Sequence, residues 1–170
     1  LFNHESPRRG ESFVTRKISM GAASIELGQR QSFKLGNLNA ERDWGYAPEY
    51  VEGMWRMLQQ ERPSDYVLAT GESRSVKDFV QQAFKVLNIE IEWVGSGIAE
   101  KGIDSRTGVV RVEVDANFYR PLDVELLTGD SSKAKRVLGW EAQTTFEELV
   151  QIMVEEDFSL MSQQPNNLRW

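Results

Sequence analysis

The stretch NHESPRRGESFVTRK, residues 3–17, gathers His4, Arg8, Arg9, Arg16 and Lys17, with Arg30 not far beyond, in a chain whose formal net charge is -6. Such a density of cations suits a local anion, and a pyrophosphate is usually held by several Arg and Lys side chains together with backbone N–H groups. Lys17, Arg42 in ERDWG and Arg120 in NFYRP are the candidates. Arg42 and Arg120 stand at the ends of expected elements, where a side chain can face a cleft, and Pro121 would stiffen the turn that aims Arg120. Spacing alone favours a plainer use, in which these cations form exposed ion pairs with Glu41, Asp43 and Asp123, pairs that are common and individually weak. His4 by itself is likewise more often a hydrogen-bonded structural residue than a ligand. The overall acidity argues against a general attraction to nucleic acid or to an anionic membrane.

These residues must be positioned by a chain of 170 residues, 40% hydrophobic and 27% charged, which is ordinary globular usage and enough for one compact core. The absence of cysteine and the single histidine exclude a disulfide framework, a thiolate metal site and a His-rich metal site. Apolar runs are too short to span a bilayer, and the first residues form no apolar signal region, so a soluble, cytoplasmic protein is expected. The chain opens Leu1-Phe2-Asn3 without Met, as though cut at the end of a strand, which reads as a fragment.

Helical and strand signals are mixed, without an internal repeat. Phe13, Lys17, Ile18, Ala22, Ile25 and Leu27 recur at helical spacing, with Gly28 placed to end the helix. Residues 32–35 read as a short strand. Residues 47–60 predict a helix with Pro48 in its first turn and a broad buried stripe of Tyr50, Val51, Met54, Trp55 and Leu58. The apolar run 66–69, bounded by turn residues, predicts a buried strand.

Residues 75–87 predict the clearest helix, with Ser75 as cap, Asp78 three residues on, and Val76, Phe79, Val80, Ala83, Phe84 and Leu87 along one face. Segments 89–93 and 110–115 alternate with period two and predict half-buried strands. Between them Gly95, Gly97, Gly102 and Gly108 suggest a long mobile loop rather than a phosphate cradle, since neither GxGxxG nor GxxxxGK occurs. A short helix over 132–138 should be closed by Gly139, and a longer one should start at Phe146 behind a Thr145/Glu148 capping box, burying Leu149, Val150, Met153 and Val154. The tail, residues 163–170, is expected to fray.

Taken together, LFNHESPRRGESFVTRK, LGNLNAERDWGYAPEYVEGMW, ATGESRSVKDFV, YRPLDVELLTGDSSKAKRVLGW and TFEELVQIMVEED resemble the C-terminal portion of the GDP-mannose 4,6-dehydratase family, within the extended short-chain dehydrogenase/reductase group. The resemblance covers nearly the whole chain, and NHESPRRG with FVTRK is its most specific piece. It implies an α/β fold of mixed helices and short strands: the substrate-binding part of such an enzyme, lacking most of the Rossmann sheet. Residues 1–170 would form a single domain, with 1–3 a remnant of the last sheet strand.

The resemblance also implies a GDP-sugar pocket. Family residues matching Asn3, Val14, Lys17, Leu35, Gly36, Arg42, Arg120 and Asp123 surround the nucleotide, with Arg42 and Arg120 at the pyrophosphate, Lys17 and Asn3 at the phosphates or sugar, and Asp123 toward ribose or guanine. Those matching His4 and Arg9 approach an NADP cofactor. Asp123 stands where the family usually has Glu, one methylene shorter, so that a ribose contact is lost or passes through water. Tyr46 replaces a common His after RDWG, with no clear consequence.

The activity so implied is an internal redox cycle in which NADP takes hydride from C4 of the hexose, water leaves across C5 and C6, and hydride returns to C6. The family's base is the Tyr of a Tyr-x-x-x-Lys pair, aided by a Thr and a Glu, while a Gly-rich turn holds the cofactor. Tyr46, Tyr50, Tyr66 and Tyr119 all lack a Lys four residues on, so no catalytic residue is assigned and the chain alone is expected to be inactive. Three readings stay open: a dehydratase portion that needs an N-terminal Rossmann domain, a free-standing nucleotide-sugar-binding module, and a fragment of a related epimerase or reductase preferring UDP or dTDP. Without its partner domain, apolar surface around Phe2, Val14 and Trp44 is expected to favour a homo-oligomer. The family assembles as dimers or tetramers, with the Pro7-Arg8-Arg9 region near a neighbour's cofactor.

Overall fold

The first elements follow from the pattern around the basic stretch. In a computed structural model, which describes residues 1–119 and 127–163, β1 (Asn3–Glu5) leads through a turn into α1 (Val14–Glu26), and β2 (Phe33–Leu35) follows. The two-residue β3 (Glu41–Arg42) and then β4 (Trp44–Tyr46) run directly into α2 (Ala47–Leu58), whose first turn accepts Pro48. After β5 (Arg74–Ser75) comes α3 (Val76–Val86), where Ser75 and Asp78 form the expected reciprocal capping box. The strands β6 (Ile91–Val94), β7 (Lys101–Asp104) and β8 (Val110–Val114) precede α4 (Ser132–Leu138), closed by Gly139 in the left-handed region, and α5 (Phe146–Gln163). Thr145 and Glu148 cap α5 reciprocally: the Thr145 N–H donates to Glu148, and the Glu148 N–H to the Thr145 hydroxyl.

The main sheet has the order β2-β8-β7-β6, parallel between β2 and β8 and antiparallel elsewhere. Helices α1, α3 and α5 pack over it, and Ile18, Ala22, Phe79, Val80, Met153 and Val154 meet Phe33, Leu35, Ile91 and Val112 in one apolar cluster. A second ribbon pairs β1 with β4 in parallel. Behind it a smaller cluster of Tyr50, Leu68, Ala134, Leu138 and Trp140 joins α2 to α4.

Four local expectations need correction. The apolar stripe on α2 is not buried as a stripe: Tyr50 is, whereas Val51 is 59%, Trp55 60% and Leu58 82% exposed. The helix seats instead through Tyr50 and Gly53, because Gly53 lets Leu68 and Trp140 approach so closely that an added Cβ would meet both. Glycine contributes nothing to an apolar count, so the pattern pointed about a quarter-turn away.

The glycine-rich stretch is also not one long loop, since it contains β7 at the centre of a three-strand meander. Its buried positions are Gly102 and Asp104, which carry no apolar signal. Residues 66–69 are buried at Leu68 and Ala69 but form no strand; one backbone bond, from the Phe2 N–H to the Leu68 carbonyl at 3.0 Å, ties them to the chain start. The patch expected around Trp44 is absent, since Trp44 is only 5% exposed and packs on Phe79 and Phe146.

Candidate functional site

Alternation along β1 sends Asn3 and Glu5 to one face and His4 to the other. His4 Nδ1 lies 2.9 Å from the Phe2 carbonyl, and its ring stacks on Tyr50 at 5.3 Å, away from the cleft. In the first turns of α1, Val14 and Lys17 share a face. Leu35 ends β2 and leads into Gly36 and Asn37, while Arg42 and Trp44 alternate with Asp43 across β3 and β4.

These positions converge on one cleft of about 660 Å³ whose lining includes Asn3, Arg9, Val14, Lys17, Leu35, Gly36 and Arg42. Of the residues marked by resemblance, His4 is placed outside this lining. Arg120 and Asp123 lie outside the described residues.

The cations are held differently. The Lys17 ammonium rests 3.7 Å from the centroid of the Phe118 ring. Partial burial lowers the pKa of Lys17, opposed by the negative charge of Asp115 and reinforced by Arg30. Arg42 Nη1 donates to the Glu41 carbonyl at 2.7 Å.

Asp43, which spacing offered as an ion-pair partner, is wholly buried and turned to the other side. It accepts from the Thr70 N–H at 2.9 Å and hydroxyl at 2.7 Å, from the Gly71 N–H at 3.0 Å and from the Gly129 N–H at 3.1 Å. Arg16 likewise leaves the site. It pairs with Asp157 on α5 at 2.7 Å, and Ser19 donates to the same carboxylate at 2.6 Å.

Glu5, Trp44, Asn117 and Phe118 also line the cleft, and the sequence reading did not mark them as site residues. Glu5 had a usable signal, its period-two partnership with Asn3. Phe118 had none beyond its nearness to Arg120.

Its position depends on Gly36: a Cβ there would overlap the Phe118 carbonyl oxygen, so only glycine lets the turn at Ala116–Phe118 lie on the loop after β2. Gly36→Ala is therefore expected to push that turn and the Phe118 ring off Lys17, destabilising by about 1–3 kcal/mol. It should weaken ligand binding more than Gly28→Ala, whose cost is the strain of a left-handed φ of 68° at the end of α1 and whose added Cβ meets nothing within 4 Å; paired calorimetric titrations compare the two.

Among the described residues no group of three or more His, Cys, Asp or Glu is placed to hold a metal ion, and no helix is long and apolar enough to cross a membrane.

A family model described as GDP-mannose 4,6 dehydratase matches residues 1–153. A GDP-mannose 4,6-dehydratase of Sinorhizobium fredii (strain HH103) is 56% identical over 161 residues, which are 95% of this chain and 46% of that protein. A GDP-mannose 4,6 dehydratase of Drosophila melanogaster is 54% identical over 165 residues, 97% of this chain and 42% of the other. The chain thus spans less than half the length of these curated relatives.

Among solved structures, RMD from Pseudomonas aeruginosa complexed with NADPH matches with a TM-score of 0.75 at 14% identity, over 93% of this chain and 46% of that one. That likeness concerns the fold alone, an α/β arrangement of mixed helices and short strands, as the sequence led us to expect. Since the family model takes in all but the last residues of the chain, and more than half the aligned positions are identical in both relatives, the chain belongs to the GDP-mannose 4,6-dehydratase family.

Proposed function

We propose that this chain is the nucleotide-sugar-receiving portion of a GDP-mannose 4,6-dehydratase. The observation that carries the reading is convergence: Asn3, Lys17, Gly36 and Arg42 come from separate elements and line a single cleft. Two cations carried by different elements onto one cleft suit a pyrophosphate. Lys17 and Arg42 would neutralise the diphosphate, with Asn3 bonding phosphate or sugar and Val14 and Leu35 giving apolar walls. Arg120 and Asp123 belong to the same proposal, at the pyrophosphate and toward the ribose or guanine.

Catalysis calls for a base that this chain does not supply, there being no Tyr-x-x-x-Lys. We therefore assign the base and the Gly-rich cofactor turn to an N-terminal domain of the kind that the greater length of the relatives allows, and the working form to an oligomer. Arg9 fits an anionic cofactor group because its guanidinium faces the cleft, and His4 would reach one only through Nε2, its Nδ1 lying against Phe2. NADP, when bound, supplies the hydride acceptor and donor of the dehydration, while the residues named here bind and orient.

Calorimetric titration of the chain with GDP, and with UDP as control, tests this. Saturable binding of GDP alone is expected, weakened about tenfold or more by Lys17→Ala or Arg42→Ala, since each removes a charge-assisted contact. Equal binding of UDP would favour a related epimerase or reductase, and no binding of GDP would defeat the reading for this chain.

A further inference from the structure

Glu5 is a carboxylate in a cleft otherwise furnished with cations, and it is only 2% exposed. The Thr15 hydroxyl donates to its Oε2 at 2.5 Å, and Arg9 Nε approaches the same oxygen at 3.2 Å. The other contact of the guanidinium is with Phe13, whose ring centroid lies 3.7 Å from Arg9 Cζ. Arg9 is thus gripped along one edge by charge and across one face by an aromatic ring. Its Nε is closed off from solvent and makes no hydrogen bond, so Glu5 holds it by charge, and the Nη end is what remains for the cleft.

We propose that Glu5 is a positioning residue for Arg9, fixing the guanidinium so that its Nη fork meets a phosphate or pyrophosphate group in the cleft. Thr15 completes the device: its hydrogen bond holds Glu5 in one rotamer, and it is carried on the same turn of α1 as Val14 and Lys17. The identity of the anion rests on the function proposed above, whereas the placement of Arg9 does not.

The proposal makes an expectation opposite to simple electrostatics. Removing a negative charge from the wall of an anion site should tighten anion binding by Coulomb attraction alone. If Glu5 instead aims Arg9, its removal frees the guanidinium to many rotamers and weakens binding.

Titration of the full chain with inorganic pyrophosphate distinguishes the two, while GDP, whose diphosphate is assigned to Lys17 and Arg42, tests the nucleotide site itself. Glu5→Ala is expected to bind about five- to tenfold more weakly, Arg9→Ala comparably, and the double variant no worse than Arg9→Ala, because one removes what the other arranges. Glu5→Gln, whose amide oxygen still accepts from Thr15 but carries no charge for Arg9, should recover little of the loss, and it carries the comparison should Glu5→Ala fail to fold. Tighter binding by either Glu5 variant, or additive losses in the double variant, would overturn the proposal.

A ligand-free readout separates this from the reading of the cleft. The Arg9 Nε–H resonance, assigned by its loss in Arg9→Lys, should exchange slowly with water in the native chain and fast in Glu5→Ala. If exchange is the same in both, Glu5 does not position Arg9, whatever the cleft binds. Failure of the native chain to bind either anion would instead count against the nucleotide site.

Discussion

Asp43→Ala is expected to lower the stability of this chain by about 4 kcal/mol or more, the cost of stripping a buried charged acceptor from three backbone N–H groups and a hydroxyl. Those donors come from Thr70, Gly71 and Gly129, so Asp43 is the point at which two distant loops are tied to the ribbon that holds Arg42 and Trp44. The cleft should therefore be lost with the stability. Asp43→Asn should fare nearly as badly despite its matched size. Each carboxylate oxygen faces at least one N–H, so whichever way the amide turns, its own NH₂ opposes a donor. Urea melts read both, as a shift of midpoint at unchanged slope. An Asn variant as stable as the native chain would show that the N–H groups find other acceptors.

The second large effect is expected at the contact between α1 and α5. Arg16 is 8% and Asp157 1% exposed, and they pair across that contact. Asp157→Ala leaves a buried guanidinium without its counter-charge and should cost about 3–5 kcal/mol, whereas replacing both by apolar residues of similar volume should recover much of the loss.

The pair also has a pH signature. Burial pushes the Asp157 carboxyl up to about 6, against the opposing pull of the Ser19 hydrogen bond and the Arg16 charge. Because this lies above the unfolded value of about 4, the folded chain takes up the proton first. The stabilisation is complete below the unfolded value and is lost as pH rises through about 6. The native chain should accordingly gain stability relative to Asp157→Asn when the pH is lowered from 7 to 5. Melts of the two proteins at both pH values check the sign, and the reverse trend would mean that the ion pair outweighs burial.

Neither Asp43 nor Asp157 could have been picked from the sequence, and the reason is physical. Their partners lie at Thr70, Gly71 and Gly129, and at Arg16, separations over which no spacing rule operates, and an aspartate among acids and apolar residues looks like any solvated charge. What was legible was local: the Ser75/Asp78 and Thr145/Glu148 boxes, the left-handed Gly139, and the periodic faces of α1, α3 and α5.

The strand β7 was not legible, because its inward positions are a glycine and an aspartate. The seating of α2 was not, because it turns on the missing side chain of Gly53. At the site, residue chemistry alone reached Lys17 and Arg42 but could not separate an anion clamp from surface ion pairs. Asn3, Val14, Leu35 and Gly36 came through family resemblance, and the structure places all of them on the cleft. Glu5 went unread because an acid in a basic stretch looks like a counter-ion.

The pairing of β2 with β8 bears on how the chain reaches this state. The meander from β6 to β8 joins near neighbours and can form early, but Phe33 must find Val112, and Leu35 must find Val114, across the whole of α2 and α3. Such distant parallel pairing carries a loop-closure penalty before any contact rewards it, and it is expected to put the chain among the slower folders of its size. Since Leu35 ends that late strand and Gly36 follows it, the cleft is assembled last, and until then β8 offers an open edge on which a second chain can register.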